Sequence, residues 1–420
     1  MGFSLFKGKK NQEKNNKNEI NSEILFTENF KDYSQNLNHK DKTCITSFSI
    51  LRNKRIMLTF KEGKVKIYEI FTNKDKIELK EIILMELDEY CFNYGIELKN
   101  GNIALCSEDS TLNIIKLTYD KDNSQNKDND TNKNYSIIQK INLEDEPFYI
   151  IKELTKNELI IGGWNHLIIF AILPHTDKYE LINKVFIEDR TFSLIELSCG
   201  EIISSQCYSK TLTINNIYEC KTEIINNIES NENPHIICKY KNKNEIVLVA
   251  YDKGINIVSV LDKCLIKNIA FKDIVSSICS LSTFIYKQKG ENGEDFKEIF
   301  SLLVGTKKRV YNKNVNYIYN IKHIGFNISN KNNKGEIIYN TKIKEKNEIK
   351  IELISEKEAV HFNEIKQINV IERNIIFNVK NKEEGKDKDK DKTQKKNNKI
   401  IISMGSEDKS LIFWERLTKK

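Results

Sequence analysis

The sequence predicts an all-β protein, a seven-bladed β-propeller of four-stranded antiparallel blades whose ring is closed by an N-terminal strand. Three observations carry this. Helical periodicity is nearly absent, and runs of five to eight Ile-, Val-, Leu-, Tyr- and Phe-rich residues alternate with polar turns instead. One hairpin pattern recurs along the chain, with the first five of its turns spaced about 43 to 55 residues apart. A period of that size in a chain of strands points to propeller blades.

The hairpins follow in order. Ile56–Phe60 turns at Lys61–Gly63 into Lys64–Ile70. Ile103–Cys106 turns at Ser107–Ser110 into Thr111–Leu117, and Leu159–Gly163 turns at Trp164–Asn165 into His166–Ile172. Ile202–Gln206 turns at Tyr208–Lys210 into Thr211–Ile217, and Ile246–Ala250 turns at Tyr251–Lys253 into Gly254–Val260. A looser sixth runs Ile299–Val304, Gly305–Lys308 and Arg309 to Ile321; the seventh is Ile400–Met404, Gly405–Lys409, Ser410–Glu415. Each is preceded by one strand-like run and most are followed by another. The seventh has nothing after it, so the stray run Glu23–Phe30 is expected to complete it and remove an open sheet edge.

The last unit, "GSEDKSLIFWE", resembles the end of a WD40 repeat, with Trp414-Glu415 in place of Trp-Asp. The resemblance covers about His39 to Leu417, most strongly in that unit. The Trp position is otherwise taken by Tyr68, Ile115, Phe170, Asn215 and Val258, and the following acid survives only as Glu69 and Glu415. The family's turn aspartate matches Asp109, Asp252 and Asp408; its histidine matches His39 and His361. The Gly-His dipeptide is missing throughout. The resemblance therefore implies a degenerate WD40-like propeller over residues 22–418, preceded by a disordered basic tail over 1–21, and an interaction scaffold as its function. Asp109, Asp252, His361, Asp408 and Trp414 are the expected structural repeat positions.

Composition bounds the chemistry. Among 420 residues 39% are hydrophobic, below the usual ~45–50%, so part of the length is expected to be solvated insertion. Net charge is +7, but about +3 sits in Met1–Ile20 and about +3 in Lys380–Asn398. The folded part is near neutral and shows no basic face for nucleic acid. The nine cysteines form no CxxC pair and read as buried free thiols of a reducing, cytoplasmic compartment, with a nuclear location left open. No apolar run is long enough to span a membrane, and the N-terminus lacks a secretory core. No phosphate loop, GxSxG elbow or HExxH motif occurs, and the six histidines are scattered, so neither enzyme, metal, cofactor nor small-molecule substrate is expected.

The long polar segments near 120–134, 287–297, 322–335 and 380–398 all map to one face of a propeller, because successive antiparallel strands alternate direction. The opposite face keeps short loops rich in acids: Asp88, Glu89, Glu144, Asp145, Glu146, Glu188, Asp189, Asp273, Glu356 and Glu358 between units, and Glu62, Glu108, Asp109, Asp252, Glu407 and Asp408 within them. Like charges focused on one ring attract cations, so other proteins are expected to bind there through basic peptide segments. The runner-up is a phosphoinositide- or membrane-surface-binding propeller, suggested by the basic turn Gly305–Arg309, though the Phe-Arg-Arg-Gly signature of that family is missing. An RNA-associated factor and a propeller hydrolase rank below both.

Overall fold

The computed structural model describes residues 29–35, 44–73, 76–87, 91–118, 134–143, 146–206, 209, 211–225, 234, 236–239, 246–271, 274–290, 293–309, 317–326, 330–331, 337–338, 351–359, 365–372, 399–405 and 411–417. These contain seven four-stranded antiparallel sheets and one two-stranded ribbon. β1 (Asn29–Gln35) precedes sheet one, which is β2 (Ile45–Leu51), β3 (Arg55–Phe60), β4 (Lys64–Asn73) and β5 (Lys76–Glu86). Sheet two is β6 (Phe92–Glu97), β7 (Ile103–Ser107), β8 (Thr111–Leu117) and β9 (Tyr135–Asn142). Sheet three is β10 (Ile150–Glu153), β11 (Leu159–Gly162), β12 (His166–Ile172) and β13 (Tyr179–Phe186). Sheet four is β14 (Thr191–Glu196), β15 (Ile202–Gln206), β16 (Leu212–Asn216) and β17 (Lys221–Ile224). Sheet five is β18 (Ile236–Lys239), β19 (Ile246–Tyr251), β20 (Gly254–Ser259) and β21 (Cys264–Ala270).

Sheet six joins β22 (Ile274–Gly290), β23 (Gly293–Arg309) and β24 (Tyr317–Phe326) to β27 (Ile351–Ala359), with the ribbon of β25 (Asn330–Lys331) and β26 (Ile337–Ile338) between the last two. Sheet seven is β28 (Ile365–Glu372), β29 (Lys399–Gly405) and β30 (Leu411–Leu417), and β1 is its fourth strand. The first strands of successive sheets lie against one another, and β28 lies against β2. Gln367 binds across that junction: its Oε1 accepts from the Phe48 amide at 3.1 Å and its Nε2 donates to the Phe48 carbonyl at 2.8 Å.

Why these residues form this architecture is clearest in β19. Its six residues are all buried, with no polar alternation. Successive side chains point to opposite faces of a strand. Ile246, Leu248 and Ala250 pack toward Val275 and Val304 of sheet six. Val247, Val249 and Tyr251 pack toward Ile195, Ile203 and Ile214 of sheet four. An inner strand is thus buried on both faces, which gives a continuous apolar run. Each described core cluster straddles one junction: Ile402 with sheet one, sheets one and two around Phe92, two and three around Phe148 and Phe170, three and four around Ile169 and Leu194. The outermost strands are largely exposed, as in β17.

Close approach at the junction of sheets three and four explains Gly162. A Cβ there would meet Thr191 Cβ and Ile150 Cγ2, each at 2.8 Å. Gly162→Ala is expected to destabilise the protein by about 1–3 kcal/mol, the usual penalty for overpacking. Urea unfolding measures it; a change below about 0.5 kcal/mol would show that the two sheets part freely.

Three expectations are corrected. The strand that pairs with β30 is Asn29–Gln35, with Asp32 opposite Trp414, whereas Glu23–Phe30 was the expected segment. An outermost strand needs no continuous apolar run, so a search for apolar residues lands too early in the chain. Next, the segment 287–297, expected as a disordered loop, is almost wholly strand. β22 and β23 pair from Ile274↔Lys307 to Gly290↔Gly293, with register shifts at Val275/Ser277 and Ser280/Ser282. Their register sets Lys289 opposite Glu294 and Ile285 opposite Glu298, so the charges that suggested solvated filler are spread over a paired ribbon. The segment 322–335 likewise overlaps β24 and β25. Last, Gly305–Arg309 is no turn: it ends β23, with Lys308 opposite Ile318 and Arg309 opposite Tyr317. The segments 1–21, 120–133 and 380–398 lie outside the described residues.

Candidate functional site

Connections on the two ends of the sheets differ in how they are tied. On one end, the turn between the first and second strands is the same turn in sheets two to four, while sheet one has a 3-10 turn over Arg52–Lys54 there. The shared turn places Gly101, Asn157 and Gly200 at positive φ, and the turn of sheet one places Asn53 there. In sheets two to four the Leu98, Leu154 and Leu197 amides donate to Asn102, Glu158 and Glu201 carbonyls, all at 2.8 Å. Each of these leucines follows a glutamate, and that glutamate accepts from the turn of the preceding sheet. The Arg52 amide donates to Glu97, the Lys99 amide to Glu153 at 2.8 Å, and the Thr155 amide to Glu196 at 2.9 Å. Cations run the same way. Arg52 Nη2 donates to the Leu98 carbonyl at 3.0 Å, and Lys99 Nζ to the Leu154 carbonyl at 2.8 Å. Burial pushes the Glu153 carboxyl above the usual range, against the Lys99 hydrogen bond and charge. This lateral series ties sheets one to four together. The repeated Glu-Leu dipeptides were its sequence signal.

The other end carries the acids singled out from the sequence. Glu146, in the connection from sheet two to sheet three, is buried. Its amide donates to Ser110 Oγ at 3.1 Å in the turn of sheet two, and its carboxylate accepts from the Asn165 amide and lies 2.9 Å from His166 Nδ1 in sheet three. Asp189 is buried one sheet further on. Its Oδ2 accepts from the Ser209 amide at 2.7 Å and its Oδ1 from the Arg190 amide at 2.6 Å. Both carboxylates organise the turn of the next sheet. They were expected as solvated charges; the unsatisfied turn amides they cap draw them inward instead.

Glu188 is exposed, as are Glu62 and Glu108 on the same end. Asp109 and Asp252 are half-buried in their turns, Asp109 accepting from Ser107 Oγ and the Asp252 carbonyl accepting from the Val275 amide at 2.8 Å. Glu356 and Glu358, expected in a loop, are strand residues of β27 opposite Lys322 and Asn320. Trp414 sits in β30 opposite Ile401. Asp88, Glu89, Glu144, Asp145, Asp273, His361 and Asp408 lie outside the described residues.

At the position of the repeat tryptophan, Tyr68, Ile115, Phe170 and Val258 each follow a register shift against the outermost strand and are buried. In sheet four the buried Asn215 holds that position. Its Nδ2 donates to the Ile202 carbonyl at 3.1 Å and Ser204 Oγ at 3.0 Å, and its Oδ1 accepts from Thr222 Oγ1 at 3.0 Å. Gln206 Nε2 donates to Ser204 Oγ at 2.7 Å and to Thr213 Oγ1 at 3.0 Å, which extends the network inward. A satisfied polar network of this kind replaces an aromatic ring without leaving buried groups orphaned.

A further cluster lies on this end. Thr46, Asn93 and Phe192 are each the extra residue of a bulge near the start of a first strand. Thr46 Oγ1 donates to the Phe92 carbonyl and Asn93 Nδ2 to the Phe148 carbonyl at 2.6 Å, each reaching the next sheet. Tyr149 holds the matching place in sheet three: the preceding Phe148 amide binds the Ser107 carbonyl as the Thr191 amide binds that of Gly163. The Arg190 guanidinium lies 4.9 Å from the Tyr149 ring centre and 4.8 Å from that of Phe192. Trp164 stands 5.6 Å away and 6.4 Å from Tyr149. Trp164 is 41% exposed and Phe192 36%. An aromatic at the same place of two successive repeats was the available signal.

Among the described residues no group of His, Cys, Asp and Glu could hold a metal ion. The Cys106 thiol is fully buried and its pKa is pushed up by that burial, which suits a packing role. No helix among the described residues is long and apolar enough to cross a membrane.

No protein-family model and no curated protein sequence matches the chain. Solved structures do. The RRP9 WD40 repeats align with a TM-score of 0.53 at 7% identity, covering 92% of this chain and 97% of theirs. The WD40 β-propeller domain of Doa1 aligns with a TM-score of 0.53 at 9% identity, again over 92% and 97%. Sqt1 of Chaetomium thermophilum aligns more loosely, at 12% identity and a TM-score of 0.46 over 66% of this chain and 70% of that one. The two fuller alignments span nearly the whole chain, and at such identity what is shared is the fold.

Proposed function

We propose that this chain, whose fold is a β-propeller of the WD40 type, is a non-catalytic protein-interaction scaffold that takes Lys/Arg-rich peptide segments on its short-loop end. The observation that carries this reading is the pairing, on that end, of exposed acids with half-exposed aromatic rings. Glu62, Glu108 and Glu188 are exposed, while Trp164 and Phe192 present ring surface beside Arg190. Aromatic and arginine side chains are the groups enriched where proteins bind most tightly, and surrounding acids steer a basic partner inward. The fold supports the scaffold reading by analogy alone. Gly305–Arg309, the basic turn that suggested a lipid headgroup, is strand instead.

Changing Glu62, Glu108 and Glu188 together to Lys tests this. Glu146 and Asp189 are left in place, because each holds a turn. Binding of a labelled Lys/Arg-rich peptide, read by fluorescence anisotropy, is expected to weaken by about tenfold or more and to lose most of its salt dependence. Unchanged affinity and unchanged salt dependence would exclude this end as the basic-peptide surface.

A further inference from the structure

We infer that the turn over residues 197–201 of sheet four is a carboxylate-binding subsite, the open end of the lateral glutamate series, and that it takes a glutamate side chain from an acidic segment of a partner protein. It lies on the end opposite the acidic loops, so it goes beyond the basic-peptide reading and does not depend on it. Sheet three shows the same turn occupied. There the Thr155 amide donates to Glu196 Oε1 at 3.0 Å and to Oε2 at 2.9 Å, and Thr155 Oγ1 donates to Oε2 at 2.9 Å. One carboxylate thus accepts from the amide and the hydroxyl of a single residue, in charge-assisted hydrogen bonds. One sheet earlier the Lys99 amide is held in the same way by Glu153.

The turn of sheet four repeats that frame. The Leu197 amide donates to the Glu201 carbonyl as the Leu154 amide does to that of Glu158, both at 2.8 Å. The Gly200 amide donates to the Leu197 carbonyl at 3.1 Å, as Asn157 does to Leu154 at 3.0 Å, and Gly200 and Asn157 share a positive φ. Ser198 follows Leu197 as Thr155 follows Leu154, so an amide and a hydroxyl again stand at one position. Ser198 is exposed, and no hydrogen bond to it occurs among the described residues. What differs is the next sheet. Glu153 and Glu196 end the first strands of sheets three and four, opposite Leu159 and Ile202. The residue that ends β18, opposite Val247, is Lys239. The series stops where a cationic residue takes the place of a carboxylate, and two donors are left to solvent. A cation at that place favours an incoming anion. Of the acids in or beside the turn, Glu196 is engaged by Thr155, and Glu201 accepts from Cys199 Sγ at 3.4 Å. Each occupied turn is filled by a glutamate side chain, so a peptide glutamate is the ligand that reproduces the contacts.

The probes are fluorescein-labelled peptides of equal length in which glycine alternates with glutamate or, as the neutral control, with glutamine. Binding is read by anisotropy and by the amide proton shift of Ser198 in NMR. The glutamate peptide is expected to move the Ser198 amide downfield, toward the carboxylate-held Lys99 and Thr155 amides, and the glutamine peptide to leave it in place. Ser198→Ala, which removes one hydroxyl donor, is expected to weaken the glutamate peptide by about threefold or more. Lys239→Glu is expected to supply the missing carboxylate from the protein itself, moving the Ser198 amide downfield without peptide and weakening the glutamate peptide by about tenfold or more. Lys239→Gln removes the charge without supplying a carboxylate, and is expected to weaken the peptide less and to leave Ser198 unshifted. Unfolding midpoints no lower than wild type show that the variants fold. A glutamate peptide that binds without moving Ser198, or that ignores both Ser198→Ala and Lys239→Glu, overturns the subsite. So does equal weakening in Lys239→Glu and Lys239→Gln with Ser198 unmoved in both, and so does a glutamate peptide that fails to bind wild type. The basic peptide binds at the other end and is expected to keep its affinity in all three variants, so the two readings fail separately.

Discussion

Deletion of residues 1–35 is expected to destabilise the protein by roughly 3–7 kcal/mol, at about 1 kcal/mol net for each ladder hydrogen bond lost. β1 pairs with β30 over seven positions, from Asn29↔Leu417 to Gln35↔Leu411. Without it, β30 becomes an open edge, its amides and carbonyls facing solvent. The same sheet meets sheet one through Gln367 and Ile402, so loosening it exposes the core around Phe48 and Ile56. Deletion of residues 1–28 is the control and is expected to leave the midpoint unchanged, since β1 begins at Asn29. Thermal and urea unfolding by circular dichroism measure both. A loss below about 1 kcal/mol on removing β1 would show that the seventh sheet holds without its outer strand.

Phe170→Ala is expected to cost about 3–5 kcal/mol. Phe170 is fully buried in β12 and packs among Leu98, Ala104 and Phe148, so it joins sheets two and three. Removing the ring leaves a cavity between two twisted sheets that backbone pairing prevents from collapsing. Phe170→Leu keeps most of the volume and is expected to cost less than about 1.5 kcal/mol. Urea midpoints for the pair separate cavity from chemistry. Equal losses would mean that the ring's shape, and not its volume, is what the junction requires.

The two variants act on what distinguishes this architecture. Each sheet is stable only through its neighbours, and the chain ends meet in one sheet. On the first four sheets, lateral ties have a local origin in the Glu97, Glu153 and Glu196 series. On the opposite end, Glu146 and Asp189 stitch successive turns. Both series use a carboxylate to satisfy amides that a tight turn leaves unpaired.

Much of the fold was legible in the chain before any coordinates. Hairpins were visible because inner strands are apolar on both faces, and turns because they demand polar residues and left-handed backbone at positions such as Gly63 and Ser110. The position of the repeat tryptophan could be traced through Tyr68, Phe170 and Val258, where burial keeps a large or branched apolar group. The outer strand of sheet seven was harder to place. Asn29–Gln35 carries little apolar signal; in sheet six, the first two strands β22 and β23 extend into a charged segment.

The sequence by itself determined the strand class, the repeat and the short-loop acids, since each depends on local residue type. Tertiary structure alone decided which acids face solvent. Glu188 does, while its neighbour Asp189 turns inward, because a turn amide from the next sheet waits there; that amide is distant in the chain and silent in composition. Tertiary structure also brought Tyr149, Trp164, Arg190 and Phe192 together. Each comes from a different connection or strand end, and only the lateral packing of sheets three and four brings them within reach of one another.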